Sequence, residues 1–301
     1  MSLFKALPLK AFRLAVKPFL GKGLGEYRLL TEIYDRLVAT TIPGSTINVN
    51  SYKMYVSQER HISVDPITEN LVLKGTWEPY TTDVFSKVLR EGTTVIDIGA
   101  NIGYFTLLAA SRVGESGKVF AFEPEPQNYA LLVKNINVNG FKNVQPFQKA
   151  VSRSTGKMAL YLGTQSGTHS LFSVRETTTK SITVDLVSLD EFFKEKKCAI
   201  DVIKVDVQGA EMDVLMGMQT LIKDNYYLKI FTEFEPDLEH AGFSVKEYWN
   251  KLTEFGFRYI YLINEEGRKL EVADLQYAME FCNTGQIASV NLLCSKNPVS
   301  I

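Results

Sequence analysis

Val95-Ile-Asp-Ile-Gly-Ala-Asn-Ile-Gly103 is the stretch on which the reading of the fold turns. A short β-branched run carrying one acid, Asp97, enters a glycine-punctuated turn and leaves it as the apolar stretch Tyr104-Phe-Thr-Leu-Leu-Ala-Ala110. A buried strand, a tight turn and a helix in that order form the first half of a βαβ unit. In an open α/β sheet the ligand lies at the carboxyl end of such a strand. Gly99 lets the chain turn sharply, and Gly103 lets the helix pack closely on the strand. Asn101 stands where the dinucleotide fingerprint Gly-x-Gly-x-x-Gly needs its second glycine, the one that admits a pyrophosphate. The turn therefore suits a cofactor without phosphate.

Outward from this turn, β-branched runs alternate with helical stretches from Thr93 onward, the pattern of a mostly parallel sheet covered on both faces. Strands are predicted at 94–98, 118–123, 144–148, 201–206, 227–233, 258–263 and 289–294. The alternating stretches 157–162 and 181–186 predict a hairpin-like excursion, joined by a Ser-, Thr- and Gly-rich loop over 163–180. Before the turn the periodicity changes near residue 90. This divides the chain into a leader, 1–90, and a main domain, 91–301. The leader predicts a helix over 26–40, an antiparallel pair within Thr46 to Val56, and a helix over 81–90 ending near Gly92.

The chain has 301 residues and 45% hydrophobic content, enough for a large core without disulfides. Cys198, Cys282 and Cys294 are widely spaced and lack any paired metal-ligand pattern, which fits a reduced, cytoplasmic protein. A formal net charge of -1 gives no global field for nucleic acid, so no nucleic-acid partner is expected. No apolar run reaches the roughly 20 residues of a membrane-spanning helix. Residues 1–28 hold Lys5, Lys10, Arg13, Lys17, Lys22 and Arg28 among apolar residues, with Glu26 the single acid. They read as a basic amphipathic segment without a secretory cleavage site. Pro8 and Pro18 interrupt it, so it packs on the domain or lies against a membrane surface.

Glu123 ends the second strand, at the distance where an acid reaches a ribose diol in such folds. Asp97 is placed to meet the cofactor's ammonium, to orient the glycine turn, or to cap the helix. The fourth predicted strand, Asp201-Val-Ile-Lys-Val-Asp206, also ends on an acid ahead of a glycine, which makes Asp206 a site position. Glu211 in the following helix either complements the helix dipole or joins the site.

These residues resemble the FkbM-type methyltransferases. The resemblance rests on Asp97-Ile-Gly-Ala-Asn-Ile-Gly-Tyr-Phe-Thr106, Val119-Phe-Ala-Phe-Glu-Pro124, Asn135-x-Asn137, Lys149-Ala-Val-Ser152, Val187-Ser-Leu-Asp190 and Ile203-Lys-Val-Asp-Val-Gln-Gly-Ala-Glu211. It implies a Rossmann-like, doubly wound sheet of seven strands in the order 3-2-1-4-5-7-6, the last antiparallel. It also implies S-adenosylmethionine as cofactor and methyl transfer, commonly to oxygen, on a small-molecule, glycan or lipid acceptor. Cofactor contacts are implied at Asp97, Gly99, Asn101, Gly103, Glu123, Pro124 and Ala150. One departure is visible: the family usually carries Glu where this chain has Gln208.

Methyl transfer from a sulfonium requires alignment of the acceptor and removal of its proton. The candidates for that work are Glu78, which with Pro79 matches a Glu-Pro element ahead of the cofactor domain in the resembling family, His169, Asp206 and Glu233. His169 lies in the Ser/Thr/Gly-rich loop and titrates near neutral pH. A divalent metal on Asp206, Glu211 or Glu233 is the less favoured version, since no diagnostic ligand spacing is present. The competing readings are a nicotinamide-dependent oxidoreductase, which Asn101 disfavours, and a non-catalytic scaffold that docks through its basic N-terminus.

Overall fold

A computed structural model of the chain describes residues 46–49, 51–56, 66–163, 169–171, 180–196, 198–236, 242–285 and 287–301. The basic segment 1–28, the helix predicted over 26–40 and most of the 163–180 loop lie outside the described residues. The chain forms two compact units, Met1–Trp77 and Glu78–Ile301.

In the first unit, strands β1 (Ile47–Val49) and β2 (Tyr52–Met54) pair antiparallel, with Ile47 opposite Met54, as the alternation in 46–56 predicts. Helix α1 (Pro66–Lys74) follows them.

The second unit opens with helix α2 (Pro79–Val88) and is built on one large sheet. Its central strand β3 (Thr94–Ile98) is buried at every residue. Parallel neighbours flank it: β4 (Lys118–Phe122) and then β5 (Val144–Phe147) on one side, β9 (Val202–Val205) and then β10 (Lys229–Phe234) on the other. Next to β10 runs β13 (Val290–Ser295), antiparallel to it and to β11 (Tyr259–Asn264). The sheet has eight strands where the resemblance implies seven, because β12 (Lys269–Val272) pairs antiparallel with the outer edge of β11. The added strand is Lys-Leu-Glu-Val, four residues long and exposed at both ends. A short strand with charged residues is how an open sheet edge resists further pairing, and it leaves little periodicity to read.

Helices α3 (Tyr104–Val113) and α4 (Pro126–Val138) make the first two crossovers. Helices α5 (Leu189–Phe193), α6 (Glu211–Met216), α7 (Gln219–Asp224), α8 (Val245–Glu254) and α9 (Leu275–Gly285) follow. The excursion predicted at 157–162 and 181–186 is a small separate sheet. There β7 (Gly156–Tyr161) pairs antiparallel with β8 (Ser181–Val187), and β6 (Ala150–Val151) runs parallel to β8.

Strand alternation sorts the large sheet into two faces. Ile96, Ile98, Ile203, Val205, Ile230 and Phe234 join the main core with Val214, Leu215, Tyr248 and Leu252 from the helices. Each such side chain contributes on the order of 1.5–3 kcal/mol by leaving water. The opposite face carries the intervening residues, and it is here that charge enters the sheet. Register sets Asp97 beside Lys204, Lys204 beside Phe231, and Glu233 beside Asn291.

Candidate active site

The β3–α3 turn is held by backbone geometry that its residue types permit. Gly99 (φ 77°), Asn101 (φ 51°) and Gly103 (φ 95°) all adopt left-handed conformations, which glycine and asparagine accept at least cost. A Cβ on Gly99 would lie 1.8 Å from the Asp206 carbonyl oxygen, so this glycine lets the ends of β3 and β9 close on each other. The Ile102 amide donates to the Asn101 side-chain oxygen at 2.7 Å, and the Asn135 side chain donates to the Ile102 carbonyl at 2.7 Å.

Glu123, just past β4, closes the turn from the other side. Its Oε2 accepts the Asn101 amide at 2.8 Å and its Oε1 accepts the Glu125 amide at 2.9 Å. A carboxylate oxygen has two lone pairs, so each oxygen keeps one for a further donor. Burial pushes this carboxyl up to about 8, while the two amides and the neighbouring acids Glu125 and Asp97 adjust it in opposite directions. The arrangement fits a diol such as the ribose of S-adenosylmethionine. Pro124 is half-buried beside Glu123, whereas Ala150 packs into the small core with Leu160, Val184 and Leu186.

Asp97 turns inward. Its Oδ2 accepts the Thr106 hydroxyl at 2.5 Å, which ties the end of β3 to α3, and Lys204 is its nearest positive charge on the sheet. Burial raises its carboxyl, and Lys204 opposes the rise.

Lys204 organises the second half of the site. It is 3% exposed in the middle of β9, with its Nζ 2.8 Å from Asp206 Oδ2 and 4.4 Å from the Phe105 ring centre. Burial works against its charge, but Asp206, Glu78 and Asp97 together more than restore it, so its ammonium is held above the usual lysine range. The strand Val-Ile-Lys-Val carries the signal that would have found it: one cation inside an apolar, fully buried run.

Three acids, Asp206, Glu78 and Asp97, act on this ammonium, and Glu233 joins them through Gln208. The second Asp206 oxygen accepts the Gln208 side-chain amide at 3.2 Å, and the same nitrogen donates to Glu233 Oε2 at 3.1 Å. Glu233 Oε1 accepts the Ser289 hydroxyl. Gln208 thus links two carboxylates where a glutamate would add a third charge. Burial, then Asp206 and Glu211, push Glu233 up to about 8. Glu211 folds back to accept the Val207 amide at 3.2 Å on Oε1, its buried Oε2 has no partner, and burial pushes it up to about 7.

Glu78 approaches from α2. It is the residue before Pro79, in a left-handed conformation (φ 42°, ψ 72°), and it does not cap its own helix. Its carboxylate meets Asn291, while its buried Oε2 has no hydrogen-bond partner. Burial pushes it up to about 7, with Lys204 pulling it down and Asp206 and Glu265 pushing it further up.

His169 precedes Ser170, whose hydroxyl donates to the Gln208 carbonyl at 2.7 Å. Its Nδ1 accepts the Gly163 amide at 3.1 Å. This bond engages the Nδ1 lone pair with the backbone. His61 and His240 lie outside the described residues. Among the described residues no group of three or more His, Cys, Asp or Glu side chains is arranged to hold a metal ion.

The glycine turn after β3, the acid after β4 and the buried charge cluster at the end of β9 thus meet at the carboxyl ends of three adjacent strands in the middle of the sheet. Residues 97–259, more than half of the chain, match the methyltransferase FkbM domain. The chain belongs to the FkbM methyltransferase family. It is 25% identical over 227 residues to Methyltransferase 1 of Beauveria bassiana, covering 65% of this chain and 87% of that protein. It is 28% identical over 168 residues to the hexuronic acid methyltransferase AglP of Haloferax volcanii, covering 55% of this chain and 63% of that protein. Among solved structures, the precorrin-6y C5,15-methyltransferase of Geobacter metallireducens aligns with a TM-score of 0.43 and 11% identity, over 85% of this chain and 99% of that one. Membership in the FkbM family makes the chain an S-adenosylmethionine-dependent methyltransferase and sets aside the nicotinamide reading that the turn alone permits.

Proposed function

We propose that this FkbM-family methyltransferase methylates a hydroxyl oxygen, on a carbohydrate or a hydroxylated secondary metabolite, with Glu78 as the group that takes the proton. The observation that carries the reading is the buried, unpartnered Oε2 of Glu78 beside the Lys204 cluster. Asp206 and Glu233 already have a donor on each oxygen. Glu78 alone of these three keeps one oxygen without a donor, and an acceptor hydroxyl is the donor it lacks.

S-adenosylmethionine, when bound, supplies an activated methyl group on a sulfonium. Glu123, with its remaining lone pairs, would hold the ribose hydroxyls, and the Gly99–Gly103 turn would give the nucleoside its backbone wall. Asp206, fixed by Lys204 and Gln208, sets negative charge at the end of β9, which would favour a cationic cofactor. Glu78 would accept a hydrogen bond from the acceptor hydroxyl and take its proton. A carboxylate with a pKa near 7 is well matched to that task near neutral pH. Lys204 offsets the negative charge of the cluster while Glu78 is ionised, and Glu78, once protonated, returns the proton to solvent. The name of the Haloferax relative, a hexuronic acid methyltransferase, supports a carbohydrate acceptor.

The test is transfer of a radiolabelled methyl group into the small-molecule and glycan fractions of a cell extract. An ether formed on a hydroxyl retains the label in mild alkali, whereas a carboxyl ester releases it. Alkali-stable label, lost with Glu78→Gln, is the expected result; alkali-labile label would overturn the hydroxyl reading.

A further inference from the structure

Glu78 cannot occupy the active site and also cap its own helix, and the structure resolves this conflict from a distance. A helix start leaves the amides of its first turn without partners, and the residue ahead of it ordinarily satisfies the N2 or N3 amide with its side chain. Here N1 is Pro79, which has no amide hydrogen, and N2 and N3 are Tyr80 and Thr81. Both amides donate to a single carboxylate more than 180 residues away in the chain. Tyr80 N–H donates to Glu265 Oε2 at 2.9 Å, and Thr81 N–H to Glu265 Oε1 at 2.6 Å. Glu265 begins the turn between β11 and β12, the hairpin that adds the eighth strand. The same turn places the Arg268 guanidinium 5.3 Å from the centre of the Tyr80 ring and 3.7 Å from Asp83 on α2. From β13, Asn291 donates to the Thr81 hydroxyl at 3.3 Å and meets the Glu78 carboxylate.

We propose that Glu265 is a positioning residue for the methyl-transfer site: by capping α2 in place of Glu78, it holds Glu78 in its left-handed conformation with its carboxylate among Lys204, Asp206 and Asn291. The eighth strand then has a purpose beyond closing the sheet edge, since its hairpin carries the clamp. Without Glu265, the amides of Tyr80 and Thr81 are left unsatisfied, and the nearest carboxylate able to serve them is that of Glu78. Glu78 would rotate out to cap its own helix, as an N-cap acid normally does, and would leave the site.

This inference rests on the reading of Glu78 as the proton acceptor, but its test does not depend on turnover. In the full chain labelled with 13C at glutamate carboxyls, the Glu78 signal is assigned by its loss in Glu78→Gln, and its titration is followed in Glu265→Ala and Glu265→Gln. Amide exchange of Tyr80 and Thr81 reports the cap. In Glu265→Ala both amides exchange at least about tenfold faster, and the Glu78 midpoint falls from about 7 by a unit or more as its carboxylate reaches water. Glu265→Gln, which keeps an acceptor for one amide, shifts it less. Equal shifts in the two variants would mean that only the charge of Glu265 was felt, and would overturn the proposal. So would faster amide exchange with an unmoved midpoint, a result Glu265→Gln can deliver even if Glu265→Ala does not fold. Should Glu78 prove not to be the base, Glu78→Gln would retain turnover while these shifts remained.

Discussion

The chemistry of the site turns on which carboxylate oxygens are already occupied. Asp206 and Glu233 are bound on both oxygens by Lys204, Gln208 and Ser289, whereas Glu78 presents an oxygen with no partner. Glu78→Gln keeps the shape and removes the proposed base. Turnover should fall by about two orders of magnitude or more, and the acidic limb of the pH–rate profile near 7 should vanish, with S-adenosylhomocysteine affinity within about threefold of the parent. An unchanged acidic limb would move the base elsewhere. At this scale the sequence is legible where the signal is local: Asp97, Gly99, Asn101, Gly103, Glu123 and Asp206 all stand at strand ends or in the turn that follows. Lys204 was open to the same reading as a lone cation in a buried strand. Glu265, Ser289 and Asn291 carry no local signal, because what matters is which distant strand ends the sheet order brings together.

Among the elements, the turn after β3 is the one whose conformation leaves least freedom. Gly99 has a positive φ and also lies against the Asp206 carbonyl, so Gly99→Ala should cost roughly 3–5 kcal/mol in a urea unfolding series. Gly140, also at positive φ but with open space around its Cβ position, supplies the control: Gly140→Ala should cost only about 1 kcal/mol. Equal costs at the two positions would show that the close approach of β3 and β9 does not constrain the turn. The seven strands read from alternation lie within a residue or two of their observed bounds, because buried strands repeat apolar residues that periodicity detects. β12 escapes that reading because a short charged edge strand has no apolar run to detect. Its hairpin nonetheless bears directly on the site.

For the molecule as a whole, burying several acids around one lysine makes stability depend on pH. Glu78, Glu123, Glu211 and Glu233 all have carboxyls raised in the fold, to about 7 or about 8 from 4.5. For an acid raised in this way the fold favours the neutral form. Its stabilising contribution is complete below about 4.5 and is lost as pH climbs through 7 to 8. Glu247 acts in the opposite sense, its carboxyl being lowered by the Ser244 cap, but only in more acidic solution. The melting temperature should therefore fall between pH ~5.5 and ~8.5. Glu233→Gln should recover part of the loss, on the order of 2 kcal/mol at the alkaline end and less at the acidic end. A melting temperature that rises steadily over that window would contradict the buried-acid account. Calorimetric titration with S-adenosylhomocysteine measures whether the β3–α3 turn and Glu123 hold the cofactor, as proposed. The parent chain should bind one equivalent, and Glu123→Ala should bind at least about thirtyfold more weakly, having lost its acceptors for the ribose; equal affinity in the two proteins would contradict the claim.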